Sequence, residues 1–389
     1  MRMYKIKLYN NISNKGLKQF TPEFEVHTNL ENEDAILVRS ASLHELTYNK
    51  NLKAIARAGA GTNNIDIETC TNKGIAVFNT PGANSNAVKE LVFAGLLLAS
   101  RDIYHGVEWC KKQIENENIN KDVEKQKKLY AGTELNGKTL GVIGLGAIGI
   151  QVANLAVDFG MNVLGYDPYI SVDNAWKMSR HVKHVENIQD LLKESDFITL
   201  HIPLLETTKN TIDEKALQIA KDGVKILNFA RGGLVDNQAL KQALHTNKVA
   251  MYVTDFPDKD LIQEEHVIPI PHLGASTQES EENCAIKAVN ELTEYLKYGN
   301  IKNSVNLPNA SAPMESPYRI ALIHKNKPKM ISQITDVLST LEINIENLIN
   351  KSKKEIAYTI IDTDQKVLPE SLDKIQNIDG MIRVNTYEL

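Results

Sequence analysis

The sequence predicts an α/β protein built around a doubly wound parallel sheet. Short apolar runs of β type alternate with helical stretches almost from end to end, which is the pattern of a parallel sheet covered by helices. At 389 residues the chain is long enough for two or three domains. Its 42% hydrophobic and 24% charged residues are ordinary for a globular protein.

The first third of the chain contains three predicted strands, each followed by a polar or glycine-rich turn: 35–38 before "RSAS", 52–56 before "RAGAGTNN", and 75–78 before "NTPGANS". A strongly apolar helix is expected over 87–100. Residues 111–128 are almost all charged or amide, which favours a solvated helix or arm over a binding site.

A second block opens at Gly137 and a third lies beyond a proline-rich segment. Residues 303–317 hold three prolines without apolar periodicity, so we expect a linker there. The final block, 318–389, shows a βαββαβ pattern. Further strands are predicted at 197–202, 224–229, 249–254 and 267–270, and in the final block at 318–324, 344–349, 356–361 and 381–387, with helices at 329–341 and 369–376.

A glycine-rich turn joins the first strand of the second block to a helix, in "GVIGLGAIG". Gly144 permits the tight turn, Gly146 lets a phosphate approach the backbone, and Gly149 allows close packing of helix on strand. Phosphates would then lie on the free N–H groups at the helix start. The pattern predicts a Rossmann-type dinucleotide site.

An acidic residue, Asp167, follows the next strand, 18 positions after the last glycine. It is placed to accept hydrogen bonds from ribose hydroxyls and to repel a 2′-phosphate. No arginine follows until Arg180. The expected cofactor is therefore NAD in preference to NADP.

Composition excludes several classes of function. A net charge of −5 gives no reason to expect nucleic acid or an anionic membrane as a partner. There is no signal-peptide core and no apolar run of membrane-spanning length. The three cysteines are widely separated and form no metal-ligand spacing, so we expect reduced thiols, no metal site and a cytoplasmic protein.

Three predicted strands of the second block are followed by side chains that are suited to catalysis or to binding a charged substrate. Arg231 follows 224–229; Asp255, Asp258 and Asp260 follow 249–254; His272 follows 267–270. Parallel strands place these ends on the edge that holds the dinucleotide. A histidine can take a hydroxyl proton, and an arginine can hold a carboxylate in two parallel hydrogen bonds. The set suits hydride transfer from a hydroxy acid.

The stretches "VRSAS", "RAGAGTNNID", "NTPGANS", "GTELNGKTLGVIGLGAIG", "NFARGGLVD" and "PHLGAST" resemble those of the D-2-hydroxyacid dehydrogenases, over nearly the whole chain. The resemblance implies a split, flavodoxin-like substrate domain at 1–100 and 280–305 around a Rossmann domain at 101–279. The terminal block, 318–389, resembles the ACT domain, a small regulatory fold.

The resemblance also implies roles for individual residues. Arg231 would bind substrate, His272 would be the acid/base, and Asp260, where the family usually has Glu, would pair with His272; Asp258 is the alternative partner. The residues expected to contact NAD are Thr80, Gly144, Gly146, Ala147, Ile148, Gly149, Asp167, Ile202, Ala230, Arg231, Asp255, His272 and Gly274.

Substrate choice is expected to depend on the first domain, through Arg39, Ser40, Arg57, Gly82, Ala83 and Asn84. Similarity to the phosphoglycerate-oxidising branch of the family favours Arg57 as the phosphate ligand. That branch opens L-serine biosynthesis. A glyoxylate/hydroxypyruvate or D-lactate type enzyme is the alternative, and an NAD-sensing binding protein is a further one.

In the ACT-like block, His324, Asn326 and Asn344 match positions that hold L-serine in bacterial members of the family. L-serine is therefore the expected effector, bound between the subunits of a homo-oligomer, a dimer or tetramer. Lys329 stands where such loops usually have glycine.

Overall fold

The computed structural model describes residues 3–389, which divide into two compact units. One unit is the chain up to Asn84 together with Gln278–Leu389, and the other is Ser85–Thr277. Both contain parallel sheets covered by helices, so the predicted α/β class is confirmed. No helix within residues 3–389 combines the length and apolar character needed to cross a bilayer.

The N-terminal part of the first unit is a five-stranded parallel sheet with the strand order β2-β1-β3-β4-β5. This is the flavodoxin-like order that was expected. Its elements are β1 (Tyr4–Tyr9), α1 (Asn14–Leu17), β2 (Phe24–His27), β3 (Ala35–Val38), β4 (Ala54–Arg57), α2 (Ile67–Asn72) and β5 (Ala76–Phe78). The central strand β3 is buried along its whole length, as its unbroken apolar run requires in a sheet covered on both faces.

The second unit holds a seven-stranded parallel sheet of order β12-β11-β10-β9-β6-β7-β8. The first strand, β6, lies inside the sheet. Strands β7 and β8 are added on one side of it, and β9 to β12 on the other. The point where the order reverses is where α/β sheets of this kind bind ligands. The elements are α3 (Ser85–Ser100), α4 (Ile103–Lys112), α5 (Ile119–Gln126), β6 (Thr139–Ile143), α6 (Ala147–Asp158), β7 (Asn162–Tyr166), α7 (Val172–Ala175), β8 (Val182–His184), α8 (Ile188–Glu194), β9 (Phe197–Leu200), α9 (Glu214–Ile219), β10 (Val224–Asn228), α10 (Asn237–His245), β11 (Val249–Thr254) and β12 (Val267–Pro269).

Helix α3 lies in this second unit, whereas the sequence analysis assigned it to the first domain. Val92 and Leu96 pack in the same core as Val142 and Val253 of the seven-stranded sheet. A Cβ on Gly95 would lie 2.8 Å from the Phe229 ring, so the helix sits directly on β10. Helix α5 contains no buried residue, in line with the solvated helix or arm expected over 111–128, and α4, most of which precedes that stretch, contains none either.

The first unit resumes with α11 (Gln278–Tyr298) and ends in an antiparallel sheet of order β14-β15-β13-β16. The elements are β13 (Tyr318–Lys325), α12 (Met330–Thr340), β14 (Ile345–Lys353), β15 (Ile356–Thr363), α13 (Pro369–Gln376) and β16 (Met381–Glu388). Their order is the predicted βαββαβ pattern. We call residues 318–389 the C-terminal module.

The two faces of this antiparallel sheet have different partners. On one face, Ile320 and Ile361 pack against helices α12 and α13. On the other, Ile323 and Tyr358 share a core with Tyr295 of α11 and with the N-terminal sheet. The C-terminal module is therefore continuous with the rest of the first unit, residues 3–84 and 278–317. We call this remainder the substrate-domain part, after the prediction made for it from the sequence.

The segment 303–317, expected to be a linker, is partly fixed. Asn306 accepts a hydrogen bond from the Val77 N–H through Oδ1, and its Nδ2 donates to the Ile75 carbonyl. Ser304 forms an isolated antiparallel bridge with Phe78. The structure differs from the expectation because Asn306 forms hydrogen bonds with backbone groups at the edge strand β5, which holds the segment in place.

Candidate active site

Two of the three glycines after β6 are required by the fold itself, and the third is not. Gly144 has φ +96°, in the region that disfavours side chains. A Cβ on Gly149 would lie 1.9 Å from the Gly144 carbonyl oxygen, so this glycine permits close packing of α6. Gly146 has extended backbone, and a Cβ there would meet no atom within 4 Å. The space beside Gly146 is therefore open, and the fold itself does not require glycine at this position.

Helix α6 begins at Ala147, and no side chain caps its first N–H groups. Uncapped amides at the start of a twelve-residue helix carry partial positive charge and attract an anion. Together with the space beside Gly146, they fit the pyrophosphate of a dinucleotide.

Asp167 follows β7 and faces the same loop. Its Oδ2 accepts a hydrogen bond from the Leu145 N–H and its Oδ1 from the Tyr169 N–H, both at 2.8 Å. A carboxylate has further lone pairs for two ribose hydroxyls. The two backbone contacts fix the side chain, and its contact with a ribose stays a prediction.

Arg231, Asp255 and His272 follow β10, β11 and β12, which are neighbours in the sheet. Burial raises the pKa of Asp255, while the charges of His272 and Arg231 act in the opposite direction. The three residues follow neighbouring strands and so lie at the same edge of the sheet. The predicted convergence at one sheet edge is present in the structure.

Asp255 lies at the centre of this group. Its Oδ2 accepts the Gly274 N–H at 3.0 Å, which ties β11 to the loop after β12. Its Oδ1 is buried and has no hydrogen-bond partner within residues 3–389. A buried acceptor without a partner costs stability, so this oxygen is available to a donor from a ligand.

His272 is exposed, and its ring packs on Phe256 with the centroids 4.6 Å apart. Neither Asp260 nor Asp258 hydrogen-bonds to it in the described chain. The Asp258 carboxylate instead accepts the Asp260 N–H at 2.9 Å, so the two residues stabilise their own turn. The structure thus does not form the pair that the sequence analysis expected.

The remaining predicted NAD contacts are distributed over both units. Ala230 donates its N–H to Asn228, and its carbonyl accepts from Arg231 Nη1 at 2.7 Å. Ile202 follows β9, and its Cγ2 lies 2.8 Å from where a Cβ on Gly144 would be. Thr80, in the first unit, has a buried hydroxyl without a hydrogen-bond partner in the described chain.

Two supporting residues were missed by the sequence analysis. Asn228 also donates its side-chain N–H to the Arg231 carbonyl at 2.8 Å and so shapes the loop that presents the arginine. His201 is fully buried next to the glycine loop, and burial lowers its pKa to about 3. A buried amide at the end of an otherwise apolar strand was the available signal for Asn228; His201 carried none.

The predicted substrate residues lie in the first unit. Arg39 directly follows β3, and Arg57 is the last residue of the adjacent strand β4. Arg57 Nε donates to the Arg39 carbonyl at 2.9 Å. Arg57 Nη1 also donates to the Gly61 carbonyl at 2.6 Å. Arg39 forms an ion pair with Glu281 of α11, at 2.5 Å. The Ser40 N–H donates to Asn10.

The turn before α3 contains the other three substrate candidates. Gly82 has φ +79°, which favours glycine, and the Ala83 N–H donates to the Thr80 carbonyl. Asn84 is the last residue before the unit boundary.

The three predicted effector residues do not converge within one chain. Lys325 pairs with Ile356, at one end of β15, and Ile345 pairs with Thr363, at the other end. Asn326 and Asn344 thus lie at opposite ends of the sheet, about 24 Å apart along the strand.

His324, the third effector candidate, is buried. Its Nδ1 bonds to the Lys325 carbonyl at 2.9 Å and its Nε2 to the Thr359 hydroxyl at 2.8 Å. Burial lowers the pKa of His324. Lys329 adopts φ +68°, which is the left-handed conformation expected where related loops carry glycine.

Comparison with known proteins identifies the sequence family. Residues 93–274 match the NAD-binding domain of the D-isomer specific 2-hydroxyacid dehydrogenases. D-3-phosphoglycerate dehydrogenase 1 of Saccharomyces cerevisiae is 32% identical over 398 aligned residues, which cover 94% of this chain and 81% of the yeast protein. D-3-phosphoglycerate dehydrogenase of Methanocaldococcus jannaschii is 37% identical over 313 residues, 78% of this chain. The chain spans only 57% of the length of that archaeal relative.

Solved structures agree with the sequence comparison. The NAD⁺-bound 3-phosphoglycerate dehydrogenase of Entamoeba histolytica superposes with a TM-score of 0.60 at 27% identity, covering 78% of this chain and 99% of that one. The chain therefore belongs to the D-isomer specific 2-hydroxyacid dehydrogenases, a family of NAD-dependent oxidoreductases, and carries the NAD-binding domain of that family.

Proposed function

We propose that the protein oxidises the C2 hydroxyl of 3-phospho-D-glycerate to 3-phosphohydroxypyruvate with NAD, the opening reaction of L-serine biosynthesis. The observation that carries this proposal is the grouping of Arg231, Asp255 and His272 beside the dinucleotide loop, on one edge of one sheet. The names of the yeast and archaeal relatives support this choice of substrate.

The proton chemistry belongs to His272. When bound, NAD supplies the hydride acceptor. As the C2 hydrogen departs, the hydroxyl proton must leave as well, and an exposed imidazole is able to accept it. Packing on Phe256 restricts the ring to a narrower range of orientations. In the reverse direction the same nitrogen returns the proton.

Arg231 holds the substrate. Its guanidinium provides parallel donors that match the substrate carboxylate and polarise the C2 oxygen. The anchoring of its backbone by Asn228, and of its Nη1 by the Ala230 carbonyl, reduces the entropy lost when substrate binds.

Asp255 complements both cations. Its carboxylate is buried, and its Oδ1 is available to a donor from a ligand. We assign this oxygen to NAD, as the family resemblance implies.

The phosphate of the substrate is assigned to Arg57. Two backbone carbonyls hold this guanidinium at the end of β4, so it is oriented before any ligand arrives. The turn of Gly82, Ala83 and Asn84 is assigned to the substrate carboxylate through backbone N–H groups.

Asp260 is proposed to pair with His272 when substrate and NAD are bound. Catalytic hydrogen bonds often form only in that complex. The test is the pH profile of kcat/KM. A shift in the Asp260→Asn variant supports the pairing, and a shift in Asp258→Asn alone transfers the role to Asp258. Unchanged profiles in both variants refute it.

We further propose that the C-terminal module regulates a cytoplasmic homo-oligomer, with L-serine as the effector. The start of α12 has no side-chain cap, which suits an amino-acid carboxylate. Because Asn326 and Asn344 are about 24 Å apart along the sheet in one chain, the proposal requires that different subunits contribute them. Inhibition by millimolar L-serine that is lost in Asn344→Ala supports it, and no effect of serine on rate or melting temperature refutes it.

The catalytic assignment is tested by the rate of NADH formation from 3-phosphoglycerate, together with the affinity for NADH. We expect His272→Asn to lower kcat roughly 10²–10⁴-fold while NADH binding stays nearly unchanged. Arg231→Ala should largely abolish turnover. A wild-type rate in His272→Asn at neutral pH refutes the assignment.

A further inference from the structure

A cavity of about 420 Å³ lies within the first unit, where the C-terminal module meets the substrate-domain part. One wall is formed by the segment after α11 and the other by the end of β14. The lining residues are Asn79, Asn303, Ser304, Leu307, Pro308, Asn309, Lys351, Ser352 and Lys353. None of the residues assigned above to substrate, NAD or serine is among them.

The charge of this lining is one-sided. It includes two lysines and no carboxylate, in a chain whose net charge is −5. Within residues 3–389, the Lys351 ammonium makes no hydrogen bond or ion pair. The Lys353 ammonium donates to the Ser304 and Val305 carbonyls, at 3.1 and 2.8 Å, and retains a third proton.

The two carbonyl contacts give the cavity a fixed cation and not only a mobile surface charge. Burial, with a contribution from Lys354, lowers the pKa of Lys353, as expected for an ammonium that lacks a counter-ion. The side-chain amides of Asn79 and Asn309 add neutral donors. Ammonium groups and amides without acids are the set that recognises carboxylate or phosphate oxygens.

We propose that this cavity is a binding site for a small anion that carries at least two negative charges, a polycarboxylate or a phosphate compound. An occupant would contact both walls and so hold the C-terminal module on the substrate-domain part. The volume is within the range of small-molecule sites.

The position of Asn79 connects the cavity with the substrate residues. Its Nδ2 donates to the Ala60 carbonyl at 2.6 Å, in the loop that Arg57 also holds through Gly61. An anion bound to Asn79 would therefore act on the back of this loop. The residues that line the cavity do not include the predicted serine contacts His324, Asn326 and Asn344.

The test is calorimetric titration of the full-length protein at low salt, without substrate or cofactor. Citrate is the polycarboxylate probe and pyrophosphate is the phosphate probe. The variants are Lys351→Gln, which removes an exposed and unpartnered cation of the cavity, and Asn309→Asp, which adds a carboxylate to it. The matched control is Lys354→Gln, which removes the same charge from the same hairpin outside the lining.

We expect Lys351→Gln to weaken binding of the preferred probe about tenfold and Asn309→Asp to weaken it further. Lys354→Gln should weaken it much less than Lys351→Gln, since Lys354 lies outside the lining and acts on Lys353 only through its charge. Anions that bind to Arg57 or Arg231 contribute equally in every variant, so the difference between variants reports on the cavity. Whichever probe shows this difference identifies the anion class.

Three outcomes overturn the proposal: no saturable binding, equal affinity in wild type and Lys351→Gln, or equal weakening in Lys351→Gln and Lys354→Gln. The last would show a general effect of charge on the hairpin. Because binding is measured directly, failure of the proposed enzyme activity does not affect the result.

Discussion

Replacing Gly146 with alanine separates cofactor binding from folding. A Cβ at this position meets no atom of the protein within 4 Å, and the backbone is extended, so the substitution introduces no clash and no strain. Loss of glycine as the residue before α6 costs a few tenths of a kcal/mol to about 1 kcal/mol. Reduced entropy of the unfolded chain returns about 0.4–1 kcal/mol. The net change in the free energy of unfolding should stay within about 0.5 kcal/mol.

Binding of NAD should change far more, because the new methyl group occupies the space beside the helix start that we assign to the pyrophosphate. Hydrogen bonds to charged groups contribute about 1.5–3 kcal/mol each. Loss of one or two of them weakens NADH binding by roughly 10-fold to more than 100-fold. Fluorescence titration with NADH measures the affinity, and urea unfolding of the same preparation measures stability.

Gly149→Ala is the matched control. Its Cβ would lie 1.9 Å from the Gly144 carbonyl oxygen, so the backbone must move and stability should fall by about 1–3 kcal/mol. Wild-type NADH affinity in Gly146→Ala, or a large loss of stability in that variant, would refute the reasoning.

Three further predictions concern other parts of the chain. Asp167→Asn should reduce the preference for NAD over NADP about tenfold or more, since a repulsion of the 2′-phosphate is removed; unchanged kcat/KM ratios for the two cofactors would contradict this. Burial raises the pKa of Glu291 from 4.5 to about 7, so the folded chain keeps this proton to higher pH than the unfolded chain, and stability is lost as the pH rises between these values. Glu291→Gln should therefore exceed wild type in unfolding free energy by up to about 3 kcal/mol near pH 8, with little difference near pH 4, and an equal effect at both would be inconsistent with it. Lys329→Gly should stabilise the protein by about 1 kcal/mol, since the residue has φ +68°, and a lower melting temperature would speak against this.

Much of the fold could be predicted from sequence because the buried strands of a parallel sheet appear as continuous apolar runs and its helices show one apolar face. The run before Gly144 and the apolar face after it can only be a buried strand and a covering helix. The grouping of Arg231 and His272 followed from topology alone, since neighbouring parallel strands end at one edge.

Features that depend on contacts between distant segments were not predictable in the same way. The apolar face of α3 has no sequence mark that assigns it to one sheet or the other, and Phe229 decides the matter only in three dimensions. Three prolines indicated a linker at 303–317, but Asn306 fixes the segment to β5 through hydrogen bonds across more than two hundred residues.

Contacts between individual side chains were the hardest feature to predict from the sequence. The spacing of Asp260 relative to Arg231 carries no information on whether its carboxylate reaches His272. In the structure, Asp258 and Asp260 form their own turn. The lysines that line the cavity resemble any other surface lysines in the sequence, and only the fold places them opposite Asn79.

The most direct test of the central claim is the kcat/KM for NADH formation from 3-phosphoglycerate, compared with D-glycerate and D-lactate under the same conditions. D-Glycerate differs from 3-phosphoglycerate only in lacking the phosphate, so this ratio isolates the phosphate contact assigned to Arg57. The account predicts a preference for 3-phosphoglycerate of roughly 10–100-fold or more, corresponding to one or two charge-assisted hydrogen bonds. An equal or faster reaction with D-glycerate or D-lactate would contradict it.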